Sequence, residues 1–480
     1  MRRTKIIATL GPATDKPEIA EKLLRGGVDL CRINYSHQDR ASHETRILQI
    51  RELSRNLGIE VGIIADLQGP KIRLERFSGG KVFLKEGASF TIDTTLDTNA
   101  GDQSHVGVTY KDLAKDVKRG DQLMLDDGRI VLQVRDVSGH EINCRIVTGG
   151  EISNSKGLNL QGGGLSASAL TDKDHEDLKH AVKMGADYVA VSFVRSPEDI
   201  RHTRDLLTEL GSEAHIIAKI ERAEALDNAE AIIDASDGIM IARGDLGVEI
   251  GDASLPPVQK RLIKLAREMD RPVITATQMM ESMIDHQIPL RAEVFDVANA
   301  VIDGTDAVML SGETSIGMFP DKVVEAMARI CEATEGQRVT QISDHRINQR
   351  FERIDEAIAM SAMYAANHIG ATAIAALTET GSTCLWMSRI SSGIPVFAFT
   401  RHVSTMRKVR LYRGVYPQYF DITHTDIYAL NKEIIQVLRE KEMVREGDYV
   451  ILTKGDLQGL RGGTNNVKII QVGQALEHTL

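Results

Sequence analysis

Cysteine is scarce and scattered: the four, Cys31, Cys144, Cys331 and Cys384, form no C-x-x-C pair. That excludes a disulfide framework and a zinc finger, and leaves four bystander thiols of a reducing compartment. No apolar run approaches the roughly 18 residues of a membrane span. After the basic Arg2-Arg3-Thr4-Lys5, the stretch Ile6 to Leu10 is cut off by Gly11-Pro12, too early for a signal peptide. A basic surplus is missing as well. The 58 Lys and Arg face 68 Asp and Glu, a formal charge of -10, which excludes general binding to nucleic acid or to an anionic membrane. Any anionic ligand must be held by a local cluster, and the cytoplasm is the expected location.

What is present is an ordinary globular composition. The 480 residues are 42% hydrophobic and 26% charged, close to the average for folded domains. At roughly 150 residues per domain, about three units are expected.

Short Ile- and Val-rich runs alternate with amphipathic stretches of helical length, the pattern of βα units around a parallel sheet. The expected strands are Lys5 to Leu10, Leu30 to Tyr35, Gly62 to Leu67, Tyr188 to Phe193, Ile216 to Ile220, Ile239 to Ala242, Val273 to Ala276 and Ala307 to Leu310. Expected helices include Pro17 to Arg25, Ala41 to Leu57, Asp172 to Met184, Ser196 to Leu210, Pro256 to Met269 and Pro320 to Thr334. Eight repeats are the count of a closed (β/α)8 TIM barrel, with an open doubly wound sheet as the competing arrangement. Between the third and fourth strands, Arg73 to about Gly164 reads as short strands punctuated by Gly turns, a small inserted β-barrel lid. Glu335 to Gln349 reads as a linker, after which a second βα rhythm begins with a helix at Glu356 to His368. Strands follow at Thr372 to Leu377, Val396 to Phe399, Tyr449 to Leu452 and Val467 to Val472. The expected domains are a catalytic barrel (1–70 and 168–340), the lid (71–167) and a C-terminal α/β open-sheet domain (350–480).

Polar and charged residues gather at the C-terminal ends of the barrel strands, the catalytic face of such barrels. Arg32, Asn34 and Ser36 alternate, so one side of an extended chain carries all three, with His37 at its end. Lys219 and Glu221 share a side in the same way. Asp245 follows Gly244 on the next strand end. A Glu and an Asp from neighbouring strands suit a partly hydrated Mg2+; Gly244 lets backbone N–H groups approach a ligand. Lys219 beside that metal could neutralise a transferring phosphoryl group, a structural Lys219–Glu221 ion pair being the competing reading. Thr277 could relay a proton through water, or simply close a strand end. The Met280 to Met283 cluster reads as core filling.

Taken in order, Thr9-Leu10-Gly11-Pro12-Ala13, Arg32-Ile33-Asn34-Tyr35-Ser36-His37, Gly69-Pro70-Lys71-Ile72-Arg73, Lys219-Ile220-Glu221, Ala242-Arg243-Gly244-Asp245-Leu246-Gly247 and Ala276-Thr277-Gln278-Met279 closely resemble the pyruvate kinase family, in its bacterial type without an N-terminal extension. The resemblance runs along essentially the whole chain. It implies phosphoryl transfer from phosphoenolpyruvate to ADP, giving pyruvate and ATP, in a homotetramer. Mapped by motif, Glu221 and Asp245 would bind Mg2+ or Mn2+, with a second ion per turnover arriving on ADP. Lys219 would stabilise the phosphoryl group opposite Arg32 and Arg73. The backbone at Gly244 and Asp245 would take the substrate carboxylate, and Thr277 would relay the proton. Asn34, Ser36, His37, Arg73 and, from the lid, Lys156 would meet the nucleotide. Many members hold K+ with residues matching Asn34, Ser36, Asp66 and the backbone of Leu67, and carry Glu where this chain has Lys71. A tethered ammonium can supply that charge, so K+ is expected to be dispensable here. A different enolate-handling barrel enzyme, such as an aldolase or lyase, and a catalytically silent binding protein are the alternatives.

In the C-terminal domain, Thr378-Glu379-Thr380-Gly381-Ser382-Thr383 joins a strand to a helical stretch, a phosphate cradle by its hydroxyls and N–H groups. The resemblance puts a sugar-phosphate effector there. Glu379 stands where responsive members often have a cation and would repel a second phosphate. A sugar monophosphate or nucleotide effector, or none at this site, is expected rather than a bisphosphate.

Overall fold

The computed structural model describes residues 1–341, 350–422, 429–456 and 462–474. The expected linker therefore falls partly outside the described residues, at 342–349, as does the end of the C-terminal domain at 475–480.

Eight parallel strands close into a barrel in sequence order: Lys5–Thr9, Leu30–Asn34, Gly62–Asp66, Tyr188–Val191, His215–Ile220, Gly238–Ala242, Val273–Ala276 and Ala307–Leu310. Closure, made by the first strand pairing with the eighth from Lys5 opposite Ala307 to Ala8 opposite Leu310, decides between the barrel and the open sheet. The helices between them carry local start and stop signals. Pro opens Pro17–Arg25, Pro197–Glu209 and Pro320–Glu335, where a missing N–H costs nothing. Thr171 and Asp174 form a reciprocal capping box on Asp172–Lys183, the kind of cap that contributes about 1 kcal/mol. Arg40–Leu57 stops at Gly58, in the left-handed region at φ 65°.

Strand alternation divides the barrel into layers. One inward residue per strand, Ile7, Leu30, Ile64, Tyr188, Ile217, Met240, Ile274 and Ala307, is at most 1% exposed. Each large apolar side chain in this floor contributes about 1.5–3 kcal/mol relative to exposure. The neighbouring outward residues, such as Ile6, Ala8 and Ile63, pack against the helices. Two residues further along, the inward positions become Thr9, Arg32, Asp66 and Lys219. On those four strands a polar group thus stands directly on the apolar floor, while the other four carry Ala190, Ala242, Ala276 and Met309 at that level.

The insertion after strand three is all β apart from the single helical turn Leu113–Asp116. Its curled six-stranded sheet orders Leu158–Leu160, Gln122–Leu125, Ile130–Ser138, Glu141–Thr148, Ser89–Asp93 and His105–Gly107, beside a ribbon of Lys81–Leu84 and Gly150–Ser153. It has its own core around Phe90, Leu123, Leu132 and Ile142.

The C-terminal sheet orders Val415–Tyr419, Val396–Thr400, Ala373–Leu377, Tyr449–Lys454 and Asn466–Gln471, the last antiparallel to its neighbour. The domain docks on the barrel end where the strands begin. Tyr188 donates its hydroxyl to the Lys408 carbonyl at 2.7 Å, and Lys5 Nζ donates to the Val415 carbonyl at 2.6 Å. Arg389 and Asp306, each 1% exposed, form a buried pair. This docking covers the floor and leaves the opposite, strand-C-terminal end free. Among the described residues, no helix is long and apolar enough to cross a membrane.

Candidate active site

At the free end, the inward side chains of strands two to five converge on one ammonium. Lys219 Nζ lies 2.9 Å from Glu221 Oε1 and 3.1 Å from Asp66 Oδ1, and donates to Ser192 Oγ at 2.6 Å. Arg32 Nε donates to the other Asp66 oxygen at 2.6 Å and Arg32 Nη1 to Thr9 Oγ1 at 3.1 Å. Asp66 is thus a pivot carrying a guanidinium on one oxygen and an ammonium on the other. Burial disfavours its charge, but Arg32 and Lys219 outweigh burial and hold it below the usual carboxylate range. Burial also opposes the charge of Lys219, which Asp66 and Glu221 hold above the ordinary lysine value. The ammonium is therefore charged throughout the physiological range.

Glu221 is fixed from behind by the Phe193 N–H, which donates to Oε2 at 2.8 Å from a residue at φ 55°. Burial, opposed by Lys219, and the like charge of Asp245 push its carboxyl up. Asp245 lies in the first turn of the helix Arg243–Ile250. Two neighbouring carboxylates at a strand-end mouth, one of them pushed toward protonation by burial first and by the other's charge as well, are a donor set that a divalent cation would relieve. Among the described residues, no group of three or more His, Cys, Asp and Glu could hold a metal ion. A pair suits Mg2+, which commonly takes one or two carboxylates and fills its remaining positions with water and substrate oxygens.

On the far side of the mouth, Thr277 sits at φ 64° and Gln278 at φ 53°, a conformation that costs a β-branched residue on the order of 1–3 kcal/mol. Arg243 maintains it: Nη2 donates to the Thr277 carbonyl at 2.6 Å, while Nη1 is anchored on Asp296 at 2.6 Å. The Thr277 hydroxyl accepts from Gly244 N at 2.9 Å and donates to the Ala276 carbonyl at 2.6 Å. It is thereby aimed over the start of the helix that carries Asp245.

Two family models match the chain, the pyruvate kinase barrel domain over residues 1–324 and the pyruvate kinase alpha/beta domain over residues 356–470. The chain belongs to the pyruvate kinase family. It is 51% identical to the pyruvate kinase of Buchnera aphidicola (subspecies Acyrthosiphon pisum) over 98% of this chain and 99% of that one. With pyruvate kinase II of Salmonella typhimurium the identity is 50% over the same shares. The crystal structure of a pyruvate kinase from Cryptosporidium parvum superposes with a TM-score of 0.91 at 33% identity, covering 98% of this chain and 96% of that one. The chain is accordingly a glycolytic phosphotransferase that passes the phosphoryl group of phosphoenolpyruvate to ADP, yielding pyruvate and ATP, and neither an aldolase or lyase nor a silent binding protein.

The remaining motif residues of this pyruvate kinase family member lie in three places. His37 is exposed, yet partial desolvation followed by the charges of Arg73, Arg32, Lys71 and Lys173 pushes its imidazole below its ordinary value. Asn34 Oδ1 accepts from Ser36 N at 3.1 Å, and the Leu67 carbonyl accepts from Ser192 Oγ at 2.8 Å. Of the four groups matched to a K+ site, Asn34 Oδ1, the Asp66 carboxylate and the Leu67 carbonyl thus already carry internal bonds. Lys71, expected to stand in for that ion, lies on Asp245 at 3.1 Å, just after the turn at Gly69, φ 65°. Arg73 and Lys156 belong to the lid base: Arg73 donates to the Ser155 carbonyl at 3.0 Å and Lys156 pairs with Asp126 at 2.8 Å. Their side chains are held within the lid rather than on the Lys219 cluster.

The C-terminal loop lines a cavity of about 220 Å³ with Thr378, Glu379, Thr380, Ser382 and Thr383, to which Arg401 and Lys454 add cations. Gly381, at φ 82°, donates its N–H to Thr378 Oγ1 at 2.8 Å. Glu379 is not a bare charge as expected: His402 lies 2.5 Å and Arg401 3.5 Å from its Oε2.

Sequence reasoning overlooked Ser192, Thr9 as the Arg32 partner, and Arg243. The alternation that singled out Arg32 and Lys219 applies equally to Ser192 at the end of strand four. Arg243 carried no such signal, because its partners, the Ala276 and Thr277 carbonyls and the side chains of Gln259 and Asp296, all lie on other elements.

Proposed function

We propose that Lys219 neutralises the phosphoryl group in flight while Glu221 and Asp245 hold the divalent ion. The observation that carries this reading is one ammonium placed at once on Glu221, Asp66 and Ser192. When bound, Mg2+ or Mn2+ supplies positive charge beside the substrate's oxygens, with a second ion arriving on ADP. Asp66 keeps Arg32 and Lys219 aimed at the same point, so both cations face the phosphate without reorganising, which is where most of such a rate enhancement resides. The Gly244 and Asp245 backbone receives the carboxylate of phosphoenolpyruvate. Thr277, fixed by Arg243, relays through water the proton that the enolate carbon needs. Asn34, Ser36 and His37 meet the nucleotide. Arg73 and Lys156 swing onto the phosphates as the lid closes and excludes water that would otherwise accept the phosphoryl group.

Lys71 makes added K+ dispensable. The C-terminal cavity takes a sugar monophosphate or a nucleotide. The working form is a cytoplasmic homotetramer, a reading supported by large apolar side chains left exposed between residues 288 and 318: Ile288 is 75%, Phe295 70%, Ile316 65% and Met318 63% exposed. The deciding experiment is a coupled assay of pyruvate release with phosphoenolpyruvate, ADP and Mg2+, comparing wild type with Lys219→Met. The variant is expected to lose on the order of 10^2 to 10^3 in kcat; unchanged turnover would refute the assignment.

A further inference from the structure

Strands five and six are paired only as far as Ile220 opposite Ile241. The carboxylates of Glu221 and Asp245 lie beyond that last rung, so the sheet does not set their separation. Something else must. Glu249, 2% exposed, has no part in the roles above and lies one turn after Asp245 on the helix Arg243–Ile250. Its Oε2 accepts from the Ala223 N–H at 2.9 Å, two residues past Glu221. The side chain of Asn159, on the lid's last strand, borders the same small cavity as Glu249 and adds to the environment that favours the charged carboxylate. The backbone carbonyl of Glu249 accepts from Gly162 N at 3.0 Å, in the stretch by which the lid returns to the barrel. Arg222, the residue between Glu221 and Ala223, grips that same stretch through the Leu165 carbonyl at 3.0 Å.

Three segments therefore meet at one buried residue: the turn behind Glu221 on its carboxylate, the lid's return stretch on its backbone carbonyl, and the helix bearing Asp245, to which it belongs. A buried carboxylate is costly unless its bonds matter. Here they tie together, beyond the last rung of the barrel ladder, the two segments that carry those carboxylates.

We propose that Glu249 is a positioning residue that sets the spacing of Glu221 and Asp245 for the divalent ion and couples that spacing to the lid through Asn159 and Gly162. The inference rests on the assignment of those two carboxylates to the metal, and the test separates the two. Mn2+ alone is titrated into the full chain, with free Mn2+ followed by electron paramagnetic resonance, for wild type, Glu249→Ala, Glu249→Gln and Asp245→Asn. Loss of a residue that orients metal ligands typically costs 10- to 100-fold in affinity. Glu249→Ala is expected to weaken Mn2+ binding by at least about tenfold. Glu249→Gln, which keeps an oxygen for the Ala223 N–H, is expected to recover most of it. Asp245→Asn should lose nearly all binding. Wild-type affinity in Glu249→Ala, or a Gln variant as weak as the Ala variant, overturns the positioning role. Wild-type affinity in Asp245→Asn overturns the metal assignment instead. Should Glu249→Ala not fold, Asn159→Ala decides: a several-fold loss of Mn2+ affinity supports the coupling, and an unchanged affinity overturns it.

Discussion

Lys71 Nζ stands 3.1 and 3.3 Å from the two carboxylate oxygens of Asp245, so a cation from the base of the lid rests on a carboxylate 174 positions away in the chain. The pair is only partly buried, at 27% and 19% side-chain exposure, so its ammonium can exchange partners when a stronger cation arrives. What it brings permanently to the mouth is one positive charge on a short tether.

That charge predicts the response to monovalent ions. In a buffer free of K+ and Na+, wild type is expected to turn over at a rate close to that with K+ added. Lys71→Glu, which exchanges the charge for its opposite, is expected to become K+-dependent. Initial rates across a K+ titration check both, and a strict K+ requirement in wild type would show that the ammonium does not serve this purpose.

Thr277 offers a second prediction, because its hydroxyl accepts one fixed hydrogen bond and donates another within a left-handed backbone. Thr277→Ala removes the hydroxyl while leaving Lys219 and the carboxylates untouched. Exchange of the pyruvate methyl protons with solvent should fall by about 10^2 or more, in the range of general acid–base contributions. Thr277→Ser is expected to restore much of it. Exchange in Thr277→Ala at the wild-type rate would remove the relay from this residue.

How much of this was written locally along the chain can be judged residue by residue. All eight barrel strands were legible, since Ile- and Val-rich runs bounded by turns have few other solutions. The strand Val415–Tyr419 was not: it is an edge strand carrying Pro417, and proline is tolerated there while erasing the usual signal. The helix Arg291–Asp303 was missed because its faces are poorly separated, with Phe295 lying 70% exposed. At the site, Arg32, Lys219 and Glu221 were legible because strand alternation fixes which side chains share a face, whereas Asp245, in the first turn of a helix, was legible only through its motif and its place just after a strand. The Lys71–Asp245 pair, the tie from Arg243 to Thr277 and the clamp at Glu249 join segments far apart in sequence, and no local pattern encodes such distances.

The effector cavity yields a third prediction. Arg401 and His402 already serve Glu379, leaving the hydroxyls and N–H groups around Thr378 to Thr383, with Lys454 nearby, for one phosphate. A sugar monophosphate or nucleoside monophosphate is expected to lower the half-saturating phosphoenolpyruvate concentration, and fructose 1,6-bisphosphate to act weakly or not at all. Steady-state kinetics with each compound decide. Tight activation by the bisphosphate would mean that a second phosphate displaces Glu379 from its two cations.

Glu249 carries a pH prediction whose sign follows from its surroundings. Burial first, with the like charge of Glu224 added and the Ala223 N–H and Arg222 opposing, raises its carboxyl to about 7, against roughly 4.3 for an exposed glutamate. The folded chain therefore holds this proton more tightly than the unfolded chain. Its contribution to stability is complete below about pH 4.3, is lost as the pH rises through 7, and each unit between is worth at most about 1.4 kcal/mol. Glu249→Gln is neutral throughout and escapes that loss. With chelator present to remove divalent ions, the Tm of Glu249→Gln relative to wild type should rise between pH 5 and pH 8, where the wild-type carboxylate has become a buried charge. A Tm difference that stays constant across that interval would mean that Glu249 does not change protonation within it.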